Sequence, residues 1–451
     1  MAQLELGDRA EGKVLERIFG IRARGSDVKA ELMAGLTTFL TMAYIVAVNP
    51  SILGQAGMPV AGVAVATCLA AGIGSILMGL IANHPLALAP GMGLNAYFTF
   101  TVVKGMGLPW QTALGCVFVS GLIFLVLTLA GARRLIFGAI PRPLFSAVAA
   151  GIGLFIAFVG LKDAGLVVAD PGTTVALGDL AKPGALVAIG GLALIAVLQV
   201  LGVRAAILIG VLAATAAGWA LGLAHLDPGA YAPSSLGSAA LKLDIPAALG
   251  LNGKLSAALV EIVFVFLFVD VFDNVGTLVG VASKAGLISE DGQIPRLNRV
   301  LAVDAIAAMV GALAGTSTTT SYIESASGVA AGGRTGLTAV TTGALFLVAI
   351  AFAPLAQAIP SAATAPALIV VGAMMMSSLA GIDWTEAETA IPAFLTLVGI
   401  PLTFSIANGL AFGIIAAAVL RLAKGRFKMA DGLLYLLAAL FVIRFAWLAA
   451  R

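Results

Sequence analysis

Leu86-Ala-Leu-Ala-Pro-Gly-Met-Gly-Leu-Asn-Ala-Tyr-Phe98 is apolar enough to lie in a bilayer but cannot cross it as one helix. Pro90 removes a backbone donor and pushes Ala89 towards extended chain, and Gly91 and Gly93 loosen the turn beyond it. The stretch predicts extended backbone entering a short helix near Gly91. A second stretch, Gly315-Thr-Ser-Thr-Thr-Thr-Ser-Tyr-Ile-Glu-Ser-Ala-Ser-Gly328, opens on a β-branched, hydroxylated run. Such a run is poor helix and plausible strand, and a half-helix is expected from near Ser321 towards Gly332. Non-helical backbone survives at membrane depth only against protein or a water-filled cavity. The two stretches are therefore expected to pair briefly and to aim their helix N-termini at one central spot, where free N–H groups suit a polar ligand or partial negative charge. Glycine and proline kinks that serve packing alone are the competing reading.

Composition sets these stretches in a membrane. The 451 residues are 61% hydrophobic and 10% charged, with a mean hydropathy of +1.09. Soluble domains do not have this composition, and the apolar runs recur at about 20 residues, the length that crosses the hydrocarbon core. Fourteen spans are predicted. Those of the first half are Leu32–Val48, Val60–Ile81, Leu86–Val102, Thr112–Ala130, Leu144–Leu161, Ala185–Leu201 and Ala205–Leu223. Those of the second are Ala257–Val281, Val300–Ala314, Thr319–Ala331, Leu337–Ala353, Ala367–Leu379, Ile391–Phe404 and Gly409–Leu422. A further apolar segment, Leu433–Ala450, carries Arg444 and either spans or lies on the surface.

If the spans alternate, Arg9, Lys13, Arg17, Arg22, Arg24, Lys29, Arg133, Arg134, Arg142, Lys284, Arg296, Arg299, Arg421, Lys424, Arg426 and Lys428 all fall on one side. Lys104, Lys162, Lys182, Lys242 and Lys254 fall on the other. The positive-inside rule then makes the N-terminus cytoplasmic, in an integral plasma (inner) membrane protein. Met1–Lys29 reads as a cytoplasmic segment rather than a cleaved signal peptide. The net charge of +3 is spread over short loops and suggests no nucleic-acid partner. Cys68 and Cys116 read as packing residues, and His84 and His225 belong to no metal-ligand pattern.

The halves overlay weakly. An offset of 225 places Asn49 on Asn274 and Tyr97 on Tyr322; an offset of 219 places Ile140-Pro141 on Ile359-Pro360 and Gly153 on Gly372. Seven spans separate the equivalents, and because seven is odd the second half runs inverted. Inverted repeats are a transporter signature, with the site at their interface.

Ala257-Ala-Leu-Val-Glu-Ile-Val-Phe-Val-Phe-Leu-Phe-Val-Asp-Val-Phe-Asp-Asn-Val-Gly-Thr-Leu-Val-Gly280 carries two acids inside a span, Asp270 and Asp273. A buried acid in lipid costs roughly 2.5–3.5 kcal/mol on insertion scales, and the two share a helix face. Asp270 reads equally well as a structural residue. With Glu324 at the start of the tenth segment's half-helix and Asn95 at the matching place in the third, they form a candidate site, joined by the hydroxyls of Thr319, Thr320, Ser321 and Ser325. Asn95 alternatively caps its half-helix, and Asp304 reads best as a brace. Phe98, Phe266 and Phe268 are candidates to stack on a planar ring, though packing is the commoner role. Glu261 lies towards the end of its span, and Arg334 falls about 15 Å beyond Glu324 if the chain is helical, at a helix end. With no fixed base at its centre the site suits a neutral or cationic substrate with N–H donors, and its acids suit proton coupling. A sodium site stays open, with no extra ligand cluster arguing for it.

Four motifs carry a family resemblance: Gly35-Leu-Thr-Thr-Phe-Leu-Thr-Met-Ala-Tyr-Ile-Val-Ala-Val-Asn-Pro50, Ala89-Pro-Gly-Met-Gly-Leu-Asn-Ala-Tyr-Phe98, Phe268-Val-Asp-Val-Phe-Asp-Asn-Val-Gly-Thr-Leu278 and Thr320-Ser-Tyr-Ile-Glu-Ser-Ala-Ser-Gly-Val329. They resemble the AzgA-like purine (hypoxanthine, guanine and adenine) permeases of the nucleobase–cation symporters, from about Leu32 to Leu422. The resemblance implies an all-α polytopic fold of fourteen transmembrane segments in two inverted seven-segment repeats. Short extended stretches would interrupt segments 3 and 10. It divides the chain into a cytoplasmic segment (1–31), a core domain (32–131 and 257–358), a gate domain (132–256 and 359–424) and a C-terminal apolar segment (425–451). It further implies elevator-like movement of core against gate, proton symport without a cofactor, and a homodimer formed through the gate. Asn95, Asp273 and Glu324 would meet the base beside Thr319, Thr320, Ser321 and Phe268, while Asp273, Glu324 and Asp270 would couple protons. Alignment through Val275-Gly-Thr-Leu278 favours Asp273 over Asp270 for the substrate.

The chemistry leans the same way. Guanine and hypoxanthine present ring N–H donors, which ionised carboxylates accept in charge-assisted bonds. Adenine presents an acceptor beside its amino group and would want a protonated acid or an amide. Transport of another small solute, such as uracil, xanthine or an anion, is the rival reading. A channel is disfavoured by the broken, inverted segments, and a membrane enzyme by the lack of a nucleophile–base pair, metal motif or phosphate loop.

Overall fold

The computed structural model describes residues 14–131, 142–225, 233–251, 257–288, 294–425 and 432–449. Arg9, Lys13, Arg133, Arg134, Lys254, Arg426 and Lys428 lie outside the described residues. Among those described, ten helices are long and apolar enough to cross a membrane. Three further apolar helices, Ala206–Ala220, Ala387–Thr403 and Leu434–Ala446, are shorter. The chain is a mostly helical polytopic membrane protein.

The first half runs α1 (Val28–Met42), α2 (Ile45–Gly54), α3 (Val60–Leu77), strand β1 (Leu88–Pro90), α4 (Met92–Ala96), α5 (Trp110–Leu129), α6 (Arg142–Asp163), hairpin strands β2 (Val167–Asp170) and β3 (Thr174–Leu177), α7 (Pro183–Val200) and α8 (Ala206–Ala220). The second runs α9 (Ala257–Lys284), α10 (Leu297–Ala314), β4 (Thr319–Ser321), α11 (Ser325–Ala330), α12 (Gly336–Ala349), α13 (Ser361–Met375), α14 (Ala387–Thr403), α15 (Ile406–Ala423) and α16 (Gly432–Ala449). After α4 the chain continues in wide π turns over Tyr97–Gly105.

The first predicted span, Leu32–Val48, falls within one membrane-crossing stretch, Val28–Gly54, that tightens midway: α1 stops at Met42, and Val46 N–H bonds Ala43 O and Ala47 N–H bonds Tyr44 O before α2 continues. Pro50 lies inside α2, where it leaves the Val46 carbonyl without its helical donor, beyond the break itself. The tenth segment's half-helix starts at Ser325, later than Ser321, because strand pairing holds the chain extended through Ser321.

Packing relates the two halves pair by pair. In the first half α7 packs on α8, and in the second α14 packs on α15. The contact of α5 with α10 is matched by that of α12 with α3, and α9 with α5 by α1 with α12. Likewise α6 meets α14 as α13 meets α7. At the centre α6 packs on α13 through glycines: a Cβ on Gly153 would lie 2.8 Å from Gly372 O, and one on Gly372 2.3 Å from Gly153 O. These are the two glycines that the sequence overlay superposed.

The start of α12 is held by two distant side chains. Fully buried Glu31 accepts from the backbone N–H groups of Arg334 (2.8 Å), Thr335 (3.1 Å) and Thr338 (3.2 Å), placing a carboxylate at the start of α12, where the helix dipole favours negative charge. Asn83 Oδ1 accepts from Gly336 N–H at 2.7 Å. At the other end of the chain, Arg444 of α16 pairs with Glu261 of α9 at 2.5 Å and donates to Asn408 of α15 at 2.9 Å.

Gly372→Leu overpacks the α6–α13 contact and is expected to destabilise by about 1–3 kcal/mol, read as a lower unfolding temperature of the purified protein. Gly190→Ala, where a Cβ meets nothing within 4 Å, is expected to leave that temperature unchanged or raise it.

Candidate functional site

The two broken stretches meet. β1 and β4 pair antiparallel, Leu88 opposite Ser321, Ala89 opposite Thr320 and Pro90 opposite Thr319. Gly91 N–H bonds Thr318 O at 2.8 Å and Tyr322 N–H bonds Ala87 O at 3.0 Å, which extends the ladder at both ends. Side chains complete the backbone's needs: Ser75 Oγ accepts from Leu88 N–H at 2.9 Å, Ser325 Oγ accepts from Ala87 N–H at 3.0 Å, and Tyr322 Oη donates to Pro90 O.

Beside this ladder lies a cavity of about 460 Å³, within the range of small-molecule sites. Asp273 of α9 and Glu324, the residue before α11, both line it. Its other walls come from α6 (Phe145, Ile152), from the end of α13 (Met375) and from the short helical turn after it (Ser378). A second cavity of about 450 Å³ lies on the other flank of Glu324 and contains Arg204 and Lys284. The two share Ile323, Glu324 and Met374. Arg204 Nη1 donates to Thr37 Oγ1 at 3.1 Å.

The sequence-predicted residues divide around the first cavity. Asp273 and Glu324 come together on its wall. Asn95 is fully buried and does not line it; its Nδ2 donates to Asn49 Oδ1 at 2.6 Å. Asn49 in turn donates to Thr67 Oγ1 (2.7 Å) and Thr316 Oγ1 (2.8 Å), joining α2, α3, α4 and the chain before β4. Thr319, Thr320 and Ser321 form β4 and are buried behind the wall. Ser321 Oγ lies 3.2 Å from Asp304 Oδ1 and Thr320 Oγ1 lies 3.4 Å from it, so Asp304 braces the strand, as its position suggested. Asp270, 3% exposed, is also set back from the cavity. Phe268 is buried, stacked on Phe264 and 6.4 Å from Phe145, whose ring is on the wall. Phe98 and Phe266 pack on each other, and Phe266 also meets Tyr97 edge-on. Of the two half-helices, α11 follows directly on the wall residues Ile323 and Glu324, and its own Ala326 and Ser327 line the second cavity. α4 stands behind α6, so close that a Cβ on Gly93 would lie 2.2 Å from Ile152.

Two contributors escaped the sequence reading. Tyr44 donates to Glu324 Oε1 at 2.7 Å from 280 positions away, and Asn49 is the hub that holds Asn95. Asn49 carried a signal in the repeat overlay, where it falls on Asn274; Tyr44 carried none there, and its place in the first motif gave it no role. Arg334 stands at a helix end, its Nη1 donating to the carbonyls of Val329 and Gly333. Among the described residues no group of three or more His, Cys, Asp or Glu side chains is placed to hold a metal.

A family model described as "Permease family" matches residues 29–412. The chain is 45% identical to adenine permease AdeP of Escherichia coli, over 97% of each protein. It is also 45% identical to guanine/hypoxanthine permease PbuG of Bacillus subtilis, over 96% of this chain and all of that one. Among solved structures the transmembrane domain of the cyanobacterial bicarbonate transporter BicA superposes with a TM-score of 0.60 at 16% identity, covering 86% of this chain and 97% of that one. That likeness is one of fold, whereas the family model spans most of the sequence and the two permeases match nearly all of it at 45% identity. The chain is a permease and not an enzyme, and it belongs to the Permease family as a member of the AzgA-like branch that its four motifs resemble.

Proposed function

We propose that this chain is a secondary active transporter that imports a purine nucleobase by proton symport, with guanine and hypoxanthine favoured and adenine possible. The observation that carries the reading is the placement of Asp273 and Glu324 on the wall of one cavity beside the strand pair. Two carboxylates, with no fixed base among the residues lining that cavity, offer acceptors to ring N–H groups and repel an anion. The same acids, at membrane depth, suit uptake and release of a proton. Asp270, set behind Asp273, is assigned to the proton side of the mechanism. Asn95, Thr319, Thr320, Ser321 and Phe268 take supporting roles: they hold the strands and the wall on which the base rests. The named relatives transport adenine in one case and guanine and hypoxanthine in the other, which supports a purine and leaves the choice of base to the cavity.

The proposed architecture is fourteen membrane segments in two inverted repeats. The ten long helices, two of the three shorter ones (α8 and α14) and the two strand-broken segments make up that number. The paired packing of equivalent helices and the mutual contact of Gly153 and Gly372 support the repeat. Residues 32–131 and 257–358 form the core domain and 132–256 and 359–424 the gate. Among the described residues the side-chain hydrogen bonds between the two are few: Ser51 with Thr364, Gln55 with Asp163, Thr101 with Phe404 O, Arg204 with Thr37 and Trp219 with Ala358 O. Such a seam suits elevator-like sliding of the core. The gate exposes Leu186, Val197, Leu212 and Phe394, an apolar face that suits lipid or a second gate in a homodimer. With a cytoplasmic N-terminus in the inner membrane, the ends of α6, α9 and α13 that border the two cavities lie on the cytoplasmic side.

Uptake of labelled hypoxanthine, guanine, adenine and uracil into cells lacking their own carriers tests the reading. Purine uptake that collapses with a protonophore is expected. Uptake of no purine would overturn the substrate, and indifference to the protonophore would overturn the coupling. Glu324→Gln and Asp273→Asn are each expected to abolish uptake, by a hundredfold or more on the order of a lost charge-assisted contact and its coupling, while surface labelling shows normal delivery to the membrane. Normal KM in both variants would make the acids structural.

A further inference from the structure

Tyr44 is fully buried at the lapse between α1 and α2, and its hydroxyl reaches Glu324 Oε1 at 2.7 Å. We propose that Tyr44 is a positioning residue for substrate recognition: it holds one oxygen of Glu324 so that the other faces the cavity shared with Asp273. The inference rests on the proposed purine site and adds to it a residue outside the cavity wall.

Glu324 needs such a restraint. It precedes a helix of only six residues and borders two cavities of similar size. On one flank stands Asp273, a like charge that repels its carboxylate. On the other stand Arg204 and Lys284, opposite charges that attract it. Unrestrained, the carboxylate would turn towards the basic cavity and away from the place where a base would meet both acids. A hydroxyl donor at 2.7 Å opposes that turn. Tyr44 is suited to hold still, because its ring is fully enclosed and its position is set by the tightened turn at Ala43–Ala47 rather than by a free rotamer. The hydroxyl also fixes a chemical role. With one oxygen already accepting, the free one remains an acceptor, which matches a ring N–H and does not match a ring acceptor.

The test is uptake kinetics of hypoxanthine in the full chain. Tyr44→Phe is expected to raise KM about tenfold, equivalent to about 1.4 kcal/mol, with maximal rate per transporter within about twofold of the original. Glu324→Asp, which withdraws the carboxylate by one methylene from the hydroxyl and from the cavity alike, is expected to raise KM at least as much and to lower the rate as well. The double variant should be no worse than the worse single, within about twofold. An unchanged KM in Tyr44→Phe, a loss confined to maximal rate, or KM effects that multiply in the double variant would each overturn the proposal. If Tyr44→Phe does not reach the membrane, Tyr44→Met, which removes the hydroxyl and fills the space with a flexible apolar side chain, decides by the same split between KM and rate. Failure of the unmodified chain to take up any purine would instead overturn the functional reading.

Discussion

At the depth where Leu88–Pro90 and Thr319–Ser321 lie, a peptide group without a partner costs several kcal/mol. Helices avoid this by bonding within themselves. A segment that must stop being helical halfway across has to borrow partners from elsewhere. Here each broken segment borrows them from the other, and Ser75, Ser325 and Tyr322 supply what the short ladder leaves over. The rest of the site depends on that mutual pairing. Because the strands pair, β4 is held out as far as Ser321, α11 begins only at Ser325, and Glu324 is left at the turn with its side chain towards the cavity.

Charge at this depth is handled by distribution. Asp304 is set against the hydroxyls of Thr320 and Ser321, Glu31 against three backbone N–H groups, and Glu261 against Arg444. Each acid has partners in place, Glu31 for both oxygens and Asp304 and Glu261 for one, which is how a buried carboxylate normally survives. Asp273 and Glu324 differ in facing open space. That contrast, between acids closed off by the protein and acids left towards a cavity, separates the site from its scaffolding better than burial alone does.

Much of this was legible in the chain because its signals are local. Pro90, Gly91 and the run Thr318-Thr-Thr320 announce their own backbone, and the apolar runs announce the spans. Asp273 and Glu324 announced themselves by cost. What could not be read depends on contacts across hundreds of residues. Nothing near Tyr44 distinguishes it from a packing tyrosine until Glu324 is beside it. Asn95 shows the converse. It sits at the right place in a broken helix, yet its side chain turns towards Asn49, because a fully buried amide takes the nearest partner.

The strand pair also imposes an order on biosynthesis. Leu88–Pro90 enters the membrane without its partner, since Ser321 lies 233 positions later than Leu88. At ribosomal speeds of about 5–20 residues per second the first strand waits roughly 10–50 s. During that interval its peptide groups depend on Ser75, which is already made, and on water or the insertion machinery. A nascent first half therefore holds half of a binding site in a state that cannot settle in lipid, and the second half completes the membrane fold of the first as well as adding its own.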